Sequence, residues 1–581
     1  MAPPSCLRST ALVAALAGLG LLVSACGGGP SPQPDSTPGT LPSHPGATAA
    51  PPPSSPFATD ATLALGLAGE PANWNPLAAP ARADPALAVV VDAVLPSAFV
   101  TASGLTLTQN DELVSSVTQT AADPATGAPQ TIVYAINPRA TWSDGVPVTG
   151  ADFAYTWEAQ SGQGRFRDVG GRAFTPASAA GYRQISSVTV TTADPDRVVV
   201  RLATPDPEWP SLFDPILPAH VARIIGFDHG FTDPVTSLVS GGPFEVQSYQ
   251  PGSDVVLVRN PRWWGPAANL ATLDISFVGS AAVAATSLEQ GQLAAAVTAF
   301  TPATVAALRA TEGLTVTITD GGSFDDLVLD ERAGPLAVRA VRLALILAVD
   351  RRAMAQRAAA AGDSAAAPIR NRAFPPGAPG YEDDTGVLDR ATTAAPARAE
   401  QLLTAAGYVR HGATLTHAGR AVRLTLAVET TSPLAAMEAA AVVGAGHLLG
   451  ITVTTVGPSV APAGVGGDNG ADFSIVEAPL TASPAVLART YGTGAAGNLS
   501  GYSSPVMDDL LTRLQAAGST AERDELADQV DVKAWDDAVD LPLLGVPSVL
   551  AYQSRYVNLT PAPSLAGVGD DPARWGIPQS A

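Results

Sequence analysis

The chain has 581 residues, is 46% hydrophobic and 15% charged, and carries a formal net charge of −21 at pH 7. That length exceeds what one hydrophobic core serves, so two or three domains are expected. Such an acidic chain, with no Lys/Arg-rich run, repels phosphate backbones and argues against nucleic-acid binding. The two cysteines, Cys6 and Cys26, both precede the globular part, which leaves the body no disulfide, thiolate nucleophile or cysteine metal ligand.

Residues 1–25 read as an export signal: a short polar start with Arg8, then an apolar run from Ala11 to Val23, too short and too early for a membrane span. The run ends Val23-Ser24-Ala25-Cys26-Gly27-Gly28-Gly29. Small residues before a cysteine resemble the bacterial lipobox, which implies that Cys26 is acylated and becomes the first mature residue. Residues 26–60 then form a tether whose Gly, Pro, Ser and Thr content cannot bury enough surface to fold and whose prolines favour extended stretches. Lys533 is the sole lysine. With the heavy Ala, Gly and Pro use, that bias suggests a high-GC genome such as an actinobacterium.

Order is expected from near Ala61. Strand candidates follow at Thr62–Leu67, Thr131–Ile136, Ser187–Thr192, Arg197–Leu202, Val255–Val258 and Leu273–Phe277; Ala193-Asp194-Pro195-Asp196 has the composition of a turn. A helix-rich half comes next, with apolar residues at helical spacing over Val338–Ala361, Ala399–Ala406, Pro433–Leu449 and Val506–Gln515. Ser519 with Glu522 matches a capping box opening a last helix towards Trp535.

The most informative stretch runs from Tyr134 to Trp157. Ser143-Asp144-Gly145 supplies a tight turn, Val146–Val148 a short strand, and Thr149 with Asp152 a helix start; Phe153 and Trp157 lie four apart on one face. This segment resembles the family 5 extracellular solute-binding proteins, the oligopeptide, dipeptide and nickel-binding components of ABC importers. The likeness continues in order through Gly69-Glu70-Pro71-Ala72-Asn73-Trp74, Gly241-Gly242-Pro243-Phe244, Arg259–Gly265, Gln290–Leu293, Val338–Arg351, Leu403–Tyr408 and Asn498–Pro505. Each motif is weak alone; their common order covers nearly everything after residue 60.

The resemblance implies an α/β, two-lobed periplasmic-binding-protein-like fold with a hinged cleft. Lobe I would span 61–318 with an extra subdomain, lobe II 319–544, and residues 545–581 would return to lobe I. It implies an ABC permease as partner and a location on the outer face of the cell membrane; a monomer is expected, and the residues themselves offer no catalytic, cofactor or metal motif. It places Glu70, Asn73 and Trp74 on one side of the cleft and Asn498 and Tyr502 on the other; for Trp74 and Tyr502 ligand contact and plain packing both stay open. Peptide-binding members set an aspartate of lobe II against the peptide amine. The matching stretch here, Asp472–Pro484, lacks it, so the expected ligand is a capped or modified peptide, a glycolipid head group or another neutral solute, unless Glu477 substitutes. Three further segments, Val94–Phe99, Ile216–His220 and Val568–Trp575, resemble the LpqW-like mycobacterial lipoproteins, which implies the alternative of a non-transport regulator of cell-wall glycolipid (phosphatidylinositol mannoside and lipoarabinomannan) synthesis acting on a membrane enzyme.

Other patterns lose to plainer readings. Gly492-Thr-Gly494-Ala-Ala-Gly497 does not sit between a strand and a helix, so it reads as a loop, not a dinucleotide turn. Glu382-Asp383-Asp384 lacks calcium-loop spacing. No Gly-x-Ser-x-Gly or His-Glu-x-x-His occurs, and His220 reads as structural.

Overall fold

The computed structural model describes residues 56–579 apart from 80–83, 103–105, 124, 180, 333, 364, 375, 377–379, 384–394, 429–431, 458–469, 481–482, 496, 563–566 and 570. Cys26, the export signal and most of the tether lie outside the described residues. The first strand, β1 (Thr62–Ala68), places Leu63, Leu65 and Leu67 at full burial. Each such leucine contributes roughly 1.5–3 kcal/mol by leaving water. After β1 come helix α1 (Pro85–Val94), strands β2 (Val114–Thr120) and β3 (Thr131–Ile136), helix α2 (Gly150–Gln160), and strands β4 (Ile185–Thr191) and β5 (Asp194–Leu202). Strands β2, β3, β5 and β4 pair in that order as a separate four-stranded sheet. The Tyr134–Trp157 segment folds against it. The Thr149 hydroxyl accepts from Ala151 N, and the Asp152 carboxylate accepts from Thr149 N at 2.9 Å, from Ala219 N at 2.8 Å and from Trp142 Nε1 at 3.4 Å. Gly145 has φ +93°, which the turn requires. Val146–Val148 is no strand; only Pro147 bridges, to Thr141, because the turn takes up the rest of the segment.

Strands β6 (Phe244–Gln250), β7 (Asp254–Arg259) and β8 (Thr272–Val278) form an antiparallel meander, and β8 runs parallel to β1. Helix α3 (Ala281–Glu289), strand β9 (Ala295–Ala299) and helix α4 (Pro302–Ala310) lead into the long strand β10 (Leu314–Leu329). Then come helices α5 (Arg339–Ala348), α6 (Arg351–Ala360) and α7 (Pro396–Ala405), strand β11 (Arg423–Ala427), helix α8 (Pro433–Leu449), and strands β12 (Thr452–Val456) and β13 (Phe473–Pro479). Helices α9 (Pro484–Tyr491), α10 (Pro505–Gln515) and α11 (Thr520–Asp537) precede the last strand, β14 (Asp540–Gln553).

The sequence pattern expects one helix over Val338–Ala361; the structure has two. Val349 is extended, and the Asp350 carboxylate accepts from Ala353 N at 2.9 Å, so a new helix starts where periodicity alone sees continuity. Likewise β5 begins at Asp194, inside the stretch read as a turn, because Thr192-Ala193 suffices to reverse the chain.

The large sheet explains how the halves are joined. Its ten strands run β12-β11-β13-β10-β14-β9-β1-β8-β7-β6. Strands β10 and β14 lie in the middle and belong to both halves. The second half of β14, Ser548–Tyr552, pairs with β9, whereas the second half of β10, Ser323–Leu329, pairs with β13. Between them the β10/β14 register slips, from Asp320↔Pro547 to Phe324↔Gly545. Such a bulge bends a ladder and raises its twist. One core gathers β1, α1, the four-stranded sheet and the chain end through Tyr556, Val568 and Trp575. Separate cores form around α5, α8, β11 and β13 and around α9, α10 and α11. Among the described residues no helix is long and apolar enough to cross a membrane.

Candidate functional site

The halves meet at the bulge. Gly321 is needed there because a Cβ would stand 2.6 Å from the Val546 carbonyl oxygen of the neighbouring strand. On the first half, the loop after β1 packs against the turn between β6 and β7. The Glu70 carboxylate accepts from the Tyr249 hydroxyl at 2.6 Å and from Gly252 N at 2.9 Å. Burial and this carboxylate push the Tyr249 phenol up to about 12. Burial likewise raises the nearby Asp84, whose carboxylate caps α1 and feels the Glu70 charge.

Asn73 and Trp74 are committed to internal partners. Asn73 Nδ2 donates to Asp228 O at 2.7 Å and its Oδ1 accepts from Asn75 N at 2.8 Å, so the side chain holds the loop's shape. Trp74 is fully buried, edge-on to Tyr249 at 5.4 Å and tilted against Phe277 at 6.5 Å. Of the first-lobe candidates, only Glu70 is exposed.

On the second half, Glu477 lies on β13 opposite Asp325 of β10. Its Oε1 accepts from the Ser323 hydroxyl at 2.5 Å, one residue past the bulge glycines. Pairing and alternation put Ser323, Asp325, Glu477 and Pro479 on one face of the sheet. Asp325 is nearly buried and its carboxyl is raised, chiefly by burial and further by Glu477, against a lowering contact with Glu438 of α8. Glu438 has no exposed surface, and its carboxyl is pushed well up by burial and by the adjoining Asp325. Among the described residues none of the three carboxyls has an ion-pair partner. Sequence reading singled out Glu477 and missed the other two. A signal existed: Asp325-Asp326 interrupts the apolar run Phe324–Leu329.

Asn498 and Tyr502 shape a loop. Asn498 Nδ2 donates to Gly492 O at 2.9 Å and Tyr502 O at 2.8 Å. The buried Tyr502 donates its hydroxyl to Asp537 Oδ2 at 2.5 Å, and Lys533 Nζ binds the same oxygen at 2.6 Å. Among the described residues no hydrogen bond joins Glu70, Asn73 or Trp74 to Glu477, Asn498 or Tyr502, nor do three His, Cys, Asp or Glu side chains gather as a metal site. His220 pairs with Asp144 at 2.7 Å, on the turn before α2.

A continuous sheet with two separately packed halves and a bulged crossing is the architecture of a hinged binding protein, and the comparisons agree. The model of the bacterial extracellular solute-binding proteins, family 5, matches residues 121–482. The chain belongs to that family. The oligopeptide-binding protein OppA of Mycobacterium tuberculosis is 29% identical over 506 residues, covering 85% of this chain and 82% of the relative. A shorter match, 34% over 173 residues, is to the probable monoacyl phosphatidylinositol tetramannoside-binding protein LpqW of the same species; it covers 29% of this chain and 25% of LpqW. The crystal structure of a periplasmic EDTA-binding protein, EppA, superposes with a TM-score of 0.81 at 24% identity, over 90% of this chain and 98% of that one. The chain is therefore an exported solute-binding protein with the two-lobed fold of its family.

Proposed function

We propose that this protein is the lipid-anchored binding component of an ABC importer, and that it captures a peptide-like solute bearing a cationic amine between its lobes. Cys26 carries the anchor, a permease is the partner, and the lobes divide beside the β10/β14 bulge, at 318/319 and 544/545. The observation that carries the reading is the trio Glu477, Asp325 and Glu438 beside the hinge. Three carboxyls on one side of a sheet, with no basic group paired to them, are costly unless a proton or a ligand cation offsets them. Burial, helped by the Glu477 charge at Asp325 and by Asp325 at Glu438, holds both carboxyls towards the protonated form. An arriving ammonium would favour ionisation of the outer two. This moves the ligand away from the neutral solute that the missing lobe II aspartate suggests, towards a free amine met from β10 instead of β13 alone. Glu70, exposed on the opposite lobe, is the proposed second contact; Asn73, Trp74, Asn498 and Tyr502 are proposed to shape the walls through their internal bonds.

Calorimetry with a pool of free two-to-six-residue peptides, and with the same pool N-acetylated, tests this. The free pool should bind, and both acetylation and Asp325→Asn should weaken it by tenfold or more, since burying one unpaired charge costs several kcal/mol. Equal affinity for the two pools, or none for either, would refute the amine reading. A second reading, a glycolipid regulator, is favoured by the stretch shared with LpqW. It predicts that the purified protein carries a mannosylated phosphatidylinositol in native mass spectrometry and ignores both peptide pools.

A further inference from the structure

Two side-chain contacts run between the four-stranded-sheet side of the first half and the α10–α11 corner of the second. Arg523, in the first turn of α11, sets its Nη1 3.4 Å from Glu208 Oε1, just after β5. Beside it Gln184 Nε2, just before β4, donates to Gln515 O at the end of α10, also at 3.4 Å. These partners are 315 and 331 residues apart in sequence. Both members of the ion pair are substantially covered, the Arg523 side chain 17% and Glu208 25% exposed. The groups facing them are acidic. Asp524 binds the other side of the guanidinium at 2.6 Å, and Asp206 accepts the Glu208 backbone N–H at 2.9 Å.

We propose that Arg523 and Glu208 form a charge latch, which holds the two lobes together and which a proton on Glu208 can replace. The contact exists only while the lobes touch. Opening returns both groups to water; closing strips water from a carboxylate that has one cation and two further carboxylates around it. Arg523 is therefore the counter-charge that lets an ionised Glu208 stay in the closed junction. In that position burial, with Asp206 and Asp524, pushes the Glu208 carboxyl up to about 7 against the pull of Arg523. Burial raises Asp206 in the same direction. An open, hydrated Glu208 would lie near the ordinary carboxylate value of about 4.3. The raised member is the closed form, so closure takes up protons. Its extra stability is full below the open-state value and is lost as pH rises towards 7. The latch thus biases the protein towards closing in mildly acidic surroundings and opening above neutrality, and it needs no ligand.

Distances between spin labels at Thr189→Cys and Thr512→Cys test this, in the full chain with Cys6 and Cys26 replaced by serine. At pH 8, Arg523→Ala should lower the closed-to-open ratio by about tenfold, the order expected for an ion pair between the exposed and fully buried limits. Glu208→Gln should stay closed and lose most of the pH dependence between 5 and 8. Arg523→Ala combined with Glu208→Gln should return to the closed distance, because the Glu208 charge that the single variant leaves unmatched is gone. An Arg523→Ala distribution equal to wild type at pH 8 overturns the latch. So does a double variant that stays open, since packing and not charge would then have been lost.

Discussion

Arg372 offers the sharpest test of what fixes the hinge strand in the second half. It is buried, with its side chain 2% exposed, and holds the first residue of β14. Its Nε and Nη2 bind Asp540 Oδ1 at 2.8 and 2.5 Å, its Nη1 binds Asp531 Oδ1 at 2.9 Å, and its guanidinium stacks 4.1 Å over Trp535. Tyr491 donates to Asp540 Oδ2 at 2.9 Å, and Trp535 Nε1 to Asp531 Oδ2 at 3.1 Å. Arg372→Met keeps most of the side-chain volume but leaves two carboxylates buried without their cation. Breaking a buried pair from one side costs about 3–5 kcal/mol, and the lost stacking adds to it. At roughly 2–4 °C per kcal/mol for a unit of this size, the second lobe should melt about 10–15 °C earlier.

Asp326 supplies the control. It faces the same network, and burial together with Asp540 pushes its carboxyl well above the ordinary range. Burial therefore favours a proton there in the folded state, whereas the unfolded chain releases it above about pH 4. That term costs stability as pH rises from the unfolded value towards the folded one. Asp326→Asn removes the cost and should leave the lobe at least as stable as wild type at pH 7. Calorimetric scanning with the two lobes resolved as separate transitions is the assay. A melting temperature for Arg372→Met within 3 °C of wild type, or an equal loss in both variants, would refute the electrostatic account.

Three other expectations follow from particular contacts. Gly321→Ala puts a methyl group 2.6 Å from the Val546 carbonyl; overpacking of this kind costs about 1–3 kcal/mol, and scattering should show a changed lobe separation without loss of any core. Trp74→Phe keeps an aromatic ring against Tyr249 and Phe277, so it should lower stability by about 1–2 kcal/mol in chemical denaturation and leave peptide affinity within threefold; a larger loss of affinity would make the indole a ligand contact. Cys26→Ala should move the protein from the membrane fraction to the medium or leave it as precursor, because stable attachment takes more than one acyl chain; equal labelling of both forms by a fatty-acid probe would refute acylation at Cys26.

Much of the architecture is written in local pattern. The strand Thr131–Ile136 and the helix Pro433–Leu449 stand at the bounds that periodicity and flanking residues predict, and the Thr149–Asp152 capping box closes as its spacing implies. These depend on residues within a turn or two, which a linear reading sees whole. The break at Asp350 escaped it because an apolar stripe can continue in register across a capped boundary. The family, too, is legible, since motif order survives where each motif is weak.

The site was less accessible for a physical reason. That Glu70 is exposed and bound by Tyr249 while Trp74 is buried depends on Tyr249 and Phe277, which reach them only through the pairing of distant strands. Asp325 meets Glu477 by the register of β10 and β13, and Glu438 arrives on a helix packed across that face. Arg523 finds Glu208 across 315 residues because two separately built cores are brought together by the crossing of β10 and β14. Side-chain type and local spacing set which groups the chain can offer. Burial and charge environment, which decide what those groups do, are created only when the sheet register and lobe contact are set.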